Sequence, residues 1–232
     1  VITAKRLRIG YGALELHDDF DFDASVDRGP KKKKTCQQWP PLKDVLLKLG
    51  VQEPDPHMGG SITWKGCKVI GIRLGNQSSV NGTLADRIGE LISLENLDLS
   101  NTNIAGDVSS FQALTKLEKL DLSSTNIAGD ISDLQNLNRL LVLVLSSTKV
   151  AGDISGLQNL TELRKLYLSS TKVEGDLSGL QSLTKLCILK LSSTKVEGNL
   201  SGLQSLTKLW KLHLGSTKVA GDISGLQNLT KL

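Results

Sequence analysis

The side chains able to do bond-making chemistry are few and scattered. The histidines are His17, His57 and His213, and the cysteines are Cys36, Cys67 and Cys187. Cys187 and His213 are the pair whose types suit a nucleophile and its base, and no third group at a fixed offset orients them. No H-E-x-x-H, G-x-S-x-G or phosphate-cradling glycine loop occurs in the chain. Ligands this few and this separate do not assemble a metal site. The expectation is therefore no enzyme, no catalytic residue, no metal and no cofactor. The chemistry that the spacing does offer is recognition. Glu95, Glu118, Leu141, Arg164, Cys187 and Trp210 follow one another at intervals of 23 residues, as do Asp98, Asp121, Val144, Tyr167, Lys190 and His213. Between these series lie Lys119, Val142, Lys165, Ile188 and Lys211, on the same period.

Elements that hold such series in line must themselves repeat. The anchors are Leu99, Leu122, Leu145, Leu168, Leu191 and Leu214, set in nearly unchanged text such as LVLSSTKVAGDI and LYLSSTKVEGDL. A period in the twenties is the mark of a solenoid, whose coils seal one another's apolar faces because none can do so alone. Aromatic residues make up 3% of the chain, so the layers are thin and aliphatic. The x-L-x-L stretch alternates and reads as a short strand with leucines inward and the varying residues outward. Gly106, Gly129, Gly152, Gly175, Gly198 and Gly221 mark a recurrent turn. The return, such as GLQNLTKL, is too short for a long helix and reads as a 3-10 turn. Thr102, Thr125, Thr148, Thr171, Thr194 and Thr217 form an inward column whose hydroxyls satisfy backbone groups freed at the bend.

Before the repeats, WPPLKDVLLKLG places Leu42, Val45, Leu46 and Leu49 on one helical face, with Pro41 in the first turn and Gly50 as the stop. We read residues 1–35 as an extended arm, 36–68 as an N-terminal cap that buries Trp39 and Trp64, and 69–232 as about seven coils, the last incomplete. Cys36 and Cys67 either pair and staple the cap or remain two unrelated thiols. The arm carries an acidic stretch, Asp18 to Asp23, and a basic run, Lys31 to Lys34, read as a solvated segment in preference to a basic docking patch. The chain opens at Val1 and stops inside a repeat at Leu232. This reads as a processed chain or fragment whose last layer is covered by further chain or by another molecule.

The formal charge of +4 is mild and does not point to nucleic acid. No apolar run is long enough to span a bilayer. Lys149, Lys172, Lys195 and Lys218 form a further column beside Asp153, Asp176 and Asp222, read as a solvated edge rather than a site for a sulfated glycan. Sequons stand at Asn76, Asn81, Asn159, Asn199 and Asn228. Glycans at the first two would argue for an extracellular or luminal protein.

The motif L-x-x-L-x-L-x-x-(N/T)-x-L resembles that of leucine-rich repeat proteins. VIGIRLGNQSSVNGTLADRIGELISLENLDLS and the preceding TWKGCKV are similar to the first coil and cap ending of plant receptor-kinase ectodomains and polygalacturonase inhibitors. Here a threonine column replaces the asparagine ladder, and V-x-G-D-I-S stands where L-x-G-x-I-P is usual. Units this uniform look like those of algal and protist arrays. The resemblance implies a right-handed, curved α/β solenoid with a parallel sheet on the concave face and short 3-10 or irregular convex segments.

On that reading the concave face runs from acidic (Glu95, Asp98, Glu118, Lys119, Asp121) through exposed apolar residues (Leu141, Val142, Val144) to basic and aromatic (Arg164, Lys165, Tyr167, Ile188, Lys190, Trp210, Lys211, His213). Leu141, Val142, Val144, Tyr167 and Trp210 are the expected anchors. The expectation is a non-catalytic module that binds a protein partner there. The alternative is a structural subunit of a larger assembly, held by other subunits at its arm and its uncapped end. A third, remote reading is ice binding by the Ser-Ser-Thr columns.

Overall fold

A computed structural model describes residues 39–51, 61–84 and 86–232. Helix α1 (Trp39–Lys48) opens with two prolines in its first turn, where a missing N–H costs nothing. Leu42, Val45, Leu46 and Leu49 are fully buried, and Gly50 ends the helix at φ +84°. A hairpin of β1 (Ile62–Lys65) and β2 (Lys68–Arg73) follows, and it buries Trp64.

Each coil then contributes two short strands. The coils of Leu99 and Leu122 supply β3 (Asn96–Asp98), β4 (Ala105–Asp107), β5 (Lys119–Asp121) and β6 (Asn126–Ala128). The next two supply β7 (Val142–Val144), β8 (Ala151–Asp153), β9 (Lys165–Tyr167) and β10 (Lys172–Asp176). The last two supply β11 (Ile188–Lys190), β12 (Lys195–Asn199), β13 (Lys211–His213) and β14 (Lys218–Ala220). The first strand of each pair joins an eight-stranded sheet in the order β1-β2-β3-β5-β7-β9-β11-β13, parallel from β2 onward. The second strands form a four-stranded parallel sheet, β14-β12-β10-β8, and a separate pair, β4-β6. The sequence reading has one sheet. The second arises because V-x-G-D alternates as a strand does, with Val173 and Val196 buried between polar neighbours.

The invariant text is scaffold. Each column threonine donates its hydroxyl to the carbonyl three residues back, from Thr102 on Leu99 to Thr217 on Leu214, at 2.6–2.7 Å. The column is inward, as expected, and Thr102 through Thr194 are buried. That removes the threonines as an ice-facing surface. After each glycine an aspartate caps the 3-10 return. Asp153 Oδ1 accepts from Ser155 N–H at 2.7 Å ahead of Ile154–Leu157, and Asn199 does the same for Ser201 at 2.9 Å. The glycine makes room for the previous coil's cap: a Cβ on Gly175 would lie 2.5 Å from Asp153 Oδ1.

Trp64 is part of the core, as expected. The side chain of Trp39, His17, His57, Cys36 and the arm lie outside the described residues. Cys67 is disulfide-bonded and Cys187 is a free thiol.

Candidate recognition surface

Parallel pairing in unbroken register lines the outward side chains of the large sheet into columns. One runs Gly71, Asn96, Lys119, Val142, Lys165, Ile188, Lys211, and the next runs Arg73, Asp98, Asp121, Val144, Tyr167, Lys190, His213. A third, flanking column continues the same ladder: Glu118 N–H donates to the Glu95 carbonyl, Leu141 to Glu118, Arg164 to Leu141, Cys187 to Arg164 and Trp210 to Cys187, at 2.7–3.0 Å. Strands in a sheet are roughly 4.8 Å apart, so neighbours within a column touch. Asn96 and Arg73 belong to this face and were missed by the sequence reading. The alternation of V-I-G-I-R-L was the signal for Arg73.

The structure corrects the expectation of exposed apolar anchors. Val142, Val144, Tyr167 and Ile188 are 8%, 2%, 5% and 1% exposed, and they form an apolar cluster of their own with Leu141 and Cys187 against it. The Lys190 ammonium lies 4.9 Å from the Tyr167 ring centre. Asp121 is also closed off, at 2% exposure. Its Oδ1 accepts both the N–H and the hydroxyl of Ser123, at 2.9 and 2.6 Å. Asp98 makes the same bonds to Ser100 but remains half-buried. Glu95, Glu118, Leu141, Lys190, Lys211 and His213 are half-buried, whereas Arg164 and Trp210 stand in solvent, Trp210 at 52%.

What remains accessible is a polarised trough. The end nearest the cap bears the carboxylates of Glu95, Asp98 and Glu118, with Arg73 and Lys119 among them. The far end bears Arg164, Lys165, Lys190 and Lys211 with no carboxylate in any outward strand position. Cys187 and His213 do not meet. They occupy opposite ends of neighbouring strands, about 10 Å apart at the rise of an extended chain. Among the described residues no group of three or more His, Cys, Asp or Glu is placed to hold a metal ion.

Away from the trough, the carboxylates with shifted acidity are caps or their neighbours, or are ion-paired, as Glu90 is with Arg87 and Glu162 with Lys185, each held below the usual range. Hydrogen bonds from Ser132 and Ser178 hold Asp130 and Asp176 below the usual carboxylate range, and the Ser224 N–H and hydroxyl do so for Asp222. Burial raises Asp133, and the charges of Asp107 and Asp130 add to it. The lysine column is exposed, and the register sets Glu174 abreast of Lys195 and Glu197 abreast of Lys218. Those charges offset one another. All five sequon asparagines are exposed, although Asn199 already serves as a cap.

A family model for leucine-rich repeats in two copies matches residues 92–136. Solved structures add the rest of the coils. The PEPR1 chain of the PEPR1–AtPEP1 crystal structure matches with a TM-score of 0.73 and 27% identity over 83% of this chain. The fold is that of leucine-rich repeat proteins. The ectodomain of the receptor kinase SOBIR1 from Arabidopsis thaliana matches this repeat protein with a TM-score of 0.64 and 26% identity, over 68% of this chain and 94% of that one. Internalin C2 from Listeria monocytogenes matches with a TM-score of 0.57 and 25% identity, over 90% and 97%. The repeat protein spans 30% of the length of the PEPR1 chain. No curated protein matches it in sequence. No helix among its described residues is long and apolar enough to cross a membrane.

Proposed function

We propose that this protein is a non-catalytic recognition module that binds a protein partner in the concave trough. The observation that carries the reading is the contrast between text and variation. Leucines, threonines, glycines and caps repeat because every coil needs them, whereas side chains on the outward strand positions change from coil to coil and sort by charge along the face. PEPR1, to which the coils are similar, was solved together with AtPEP1. Arg164 and Trp210 are the contact residues of choice, because they combine exposure with the side-chain types that dominate binding energy. Tyr167 acts beneath them by holding Lys190 in place.

The test is affinity purification with the full chain, identification of the captured protein, and calorimetric titration of that protein. Arg164→Glu with Trp210→Ala should weaken binding at least tenfold while the unfolding midpoint stays within a degree or two. Unchanged affinity removes the trough as the binding site.

A further inference from the structure

Outside the trough a single file of charge runs along the turns that lead into the large sheet. Two residues ahead of the flanking column, Lys116, Arg139, Glu162, Lys185, Lys208 and Lys231 follow one another at the repeat interval. Neighbours in the file are within reach across the coils: Lys185 Nζ lies 2.5 and 2.6 Å from the two carboxylate oxygens of Glu162. Lys116, Arg139, Lys208 and Lys231 are exposed, and among the described residues none of these four forms an ion pair. The file's only carboxylate is already engaged by Lys185, so the edge as a whole presents positive charge. We propose that this edge binds a linear sulfated polysaccharide laid along the stack of coils.

The shape of the charge argues for a linear ligand. Neighbouring positions are about 4.8 Å apart, the spacing of the ladder they border, and the whole file runs for about 24 Å. A membrane spreads its charge over a plane, which a single file does not match. A nucleic-acid duplex carries one phosphate per roughly 1.7 Å of its axis, far denser than one cation per coil. Single strands are held by aromatic platforms under their bases, and the turn text around the file, QALTK, QNLNR or QSLTK, contains no aromatic residue. A sulfated sugar chain instead carries its charges on separate sugars and surrounds them with hydroxyls.

The neighbours of the cations suit that chemistry. The residue before each is Thr115, Asn138, Thr184 or Thr207 along the file, and all four are exposed, as are turn glutamines such as Gln181 and Gln204. Each coil thus offers an ammonium or guanidinium, a hydroxyl or side-chain amide, and a glutamine amide, all able to donate. A sulfate ester has three terminal oxygens that only accept, and its charge strengthens each bond. A carboxylated sugar offers two such oxygens and leaves one donor of each set idle. The set recurs from coil to coil, so a ligand of repeating units makes the same weak contact several times, and linked contacts reinforce one another. Arg164 and Trp210, assigned above to the protein partner, are not needed here. The inference goes beyond the trough and stands or falls without a protein partner.

The experiment is calorimetric titration of the full chain at low ionic strength with a heparin oligosaccharide long enough to span the file. Polygalacturonate and single-stranded DNA serve as carboxylate and phosphate comparisons. The heparin fragment should bind, and its affinity should fall steeply as salt rises, as it does when a polyanion releases counterions. Arg139→Glu with Lys208→Glu should weaken binding by about tenfold or more, with circular dichroism and the unfolding midpoint unchanged. Lys149→Glu with Lys195→Glu changes the net charge equally on the return sheet and should weaken it by less than about threefold. Three results would each overturn the proposal: no binding of the heparin fragment, an equal loss in both variants, or polygalacturonate or DNA bound as tightly as the heparin fragment.

Discussion

Gly175→Ala probes the spacing on which the whole solenoid depends. Gly175 lies in β10 at φ +103°, a conformation open to glycine and strained for any other residue. Forcing alanine into it costs about 1–3 kcal/mol. The new Cβ also meets Asp153 of the previous coil, with Oδ1 at 2.5 Å, Cγ at 2.6 Å and Oδ2 at 2.8 Å. That carboxylate cannot simply swing away, because its Oδ1 caps the following turn through Ser155 N–H at 2.7 Å. Losing a cap costs about 0.5–2 kcal/mol. The variant should thus be destabilised by about 2–5 kcal/mol, from the two effects together.

The two contributions separate in a double-mutant cycle. Asp153→Ala alone loses only the cap, at about 1 kcal/mol. Combined with Gly175→Ala it also removes the clash, so the double variant should cost about 1 kcal/mol less than the sum of the singles. The assay is urea unfolding followed by far-ultraviolet circular dichroism. Gly215→Ala is the control, since its added Cβ meets only Ser192 Oγ at 3.7 Å, and it should change stability by less than about 0.5 kcal/mol. If Gly175→Ala is tolerated as well as the control, or if the singles add without coupling, the coils are not stacked as described and the packing argument fails.

Ser147 holds φ +59° in a bend that recurs at Ser124, Ser170, Ser193 and Ser216; Ser147→Asn, a residue that tolerates this conformation, should stabilise by about 0.5–1 kcal/mol in the same assay. Thr148→Val removes the 2.7 Å bond to the Leu145 carbonyl in a buried setting and should cost about 1–3 kcal/mol, whereas Thr148→Ser should cost less. Asp130, Asp176 and Asp222 have acidities held below the ordinary value by their serine hydrogen bonds. Their stabilisation is present above the unfolded value of about 3.9 and is lost as pH falls through the lower folded values. The melting temperature should therefore drop between about pH 4 and pH 2. Replacing all three by asparagine, which caps in the same way at Asn199, should flatten that drop.

Much of this fold was legible because each coil repeats the same instruction. Leu120, Leu143 and Leu166 occupy the inward strand position of successive units, and a bend that needs Thr125 needs Thr148 for the same reason. The second sheet was harder to see, since Lys172–Asp176 carries a single buried valine among polar residues and its pairing partners are 21 residues away on either side. The closure of Val142, Val144, Tyr167 and Ile188 was not legible at all. Alternation assigns a side of the strand and not an exposure, and these four side chains gather into an apolar cluster of their own. Asp121 was misjudged for a related reason. Its charge suggested solvent, but Ser123, two residues on, turns it into a sealed turn-former.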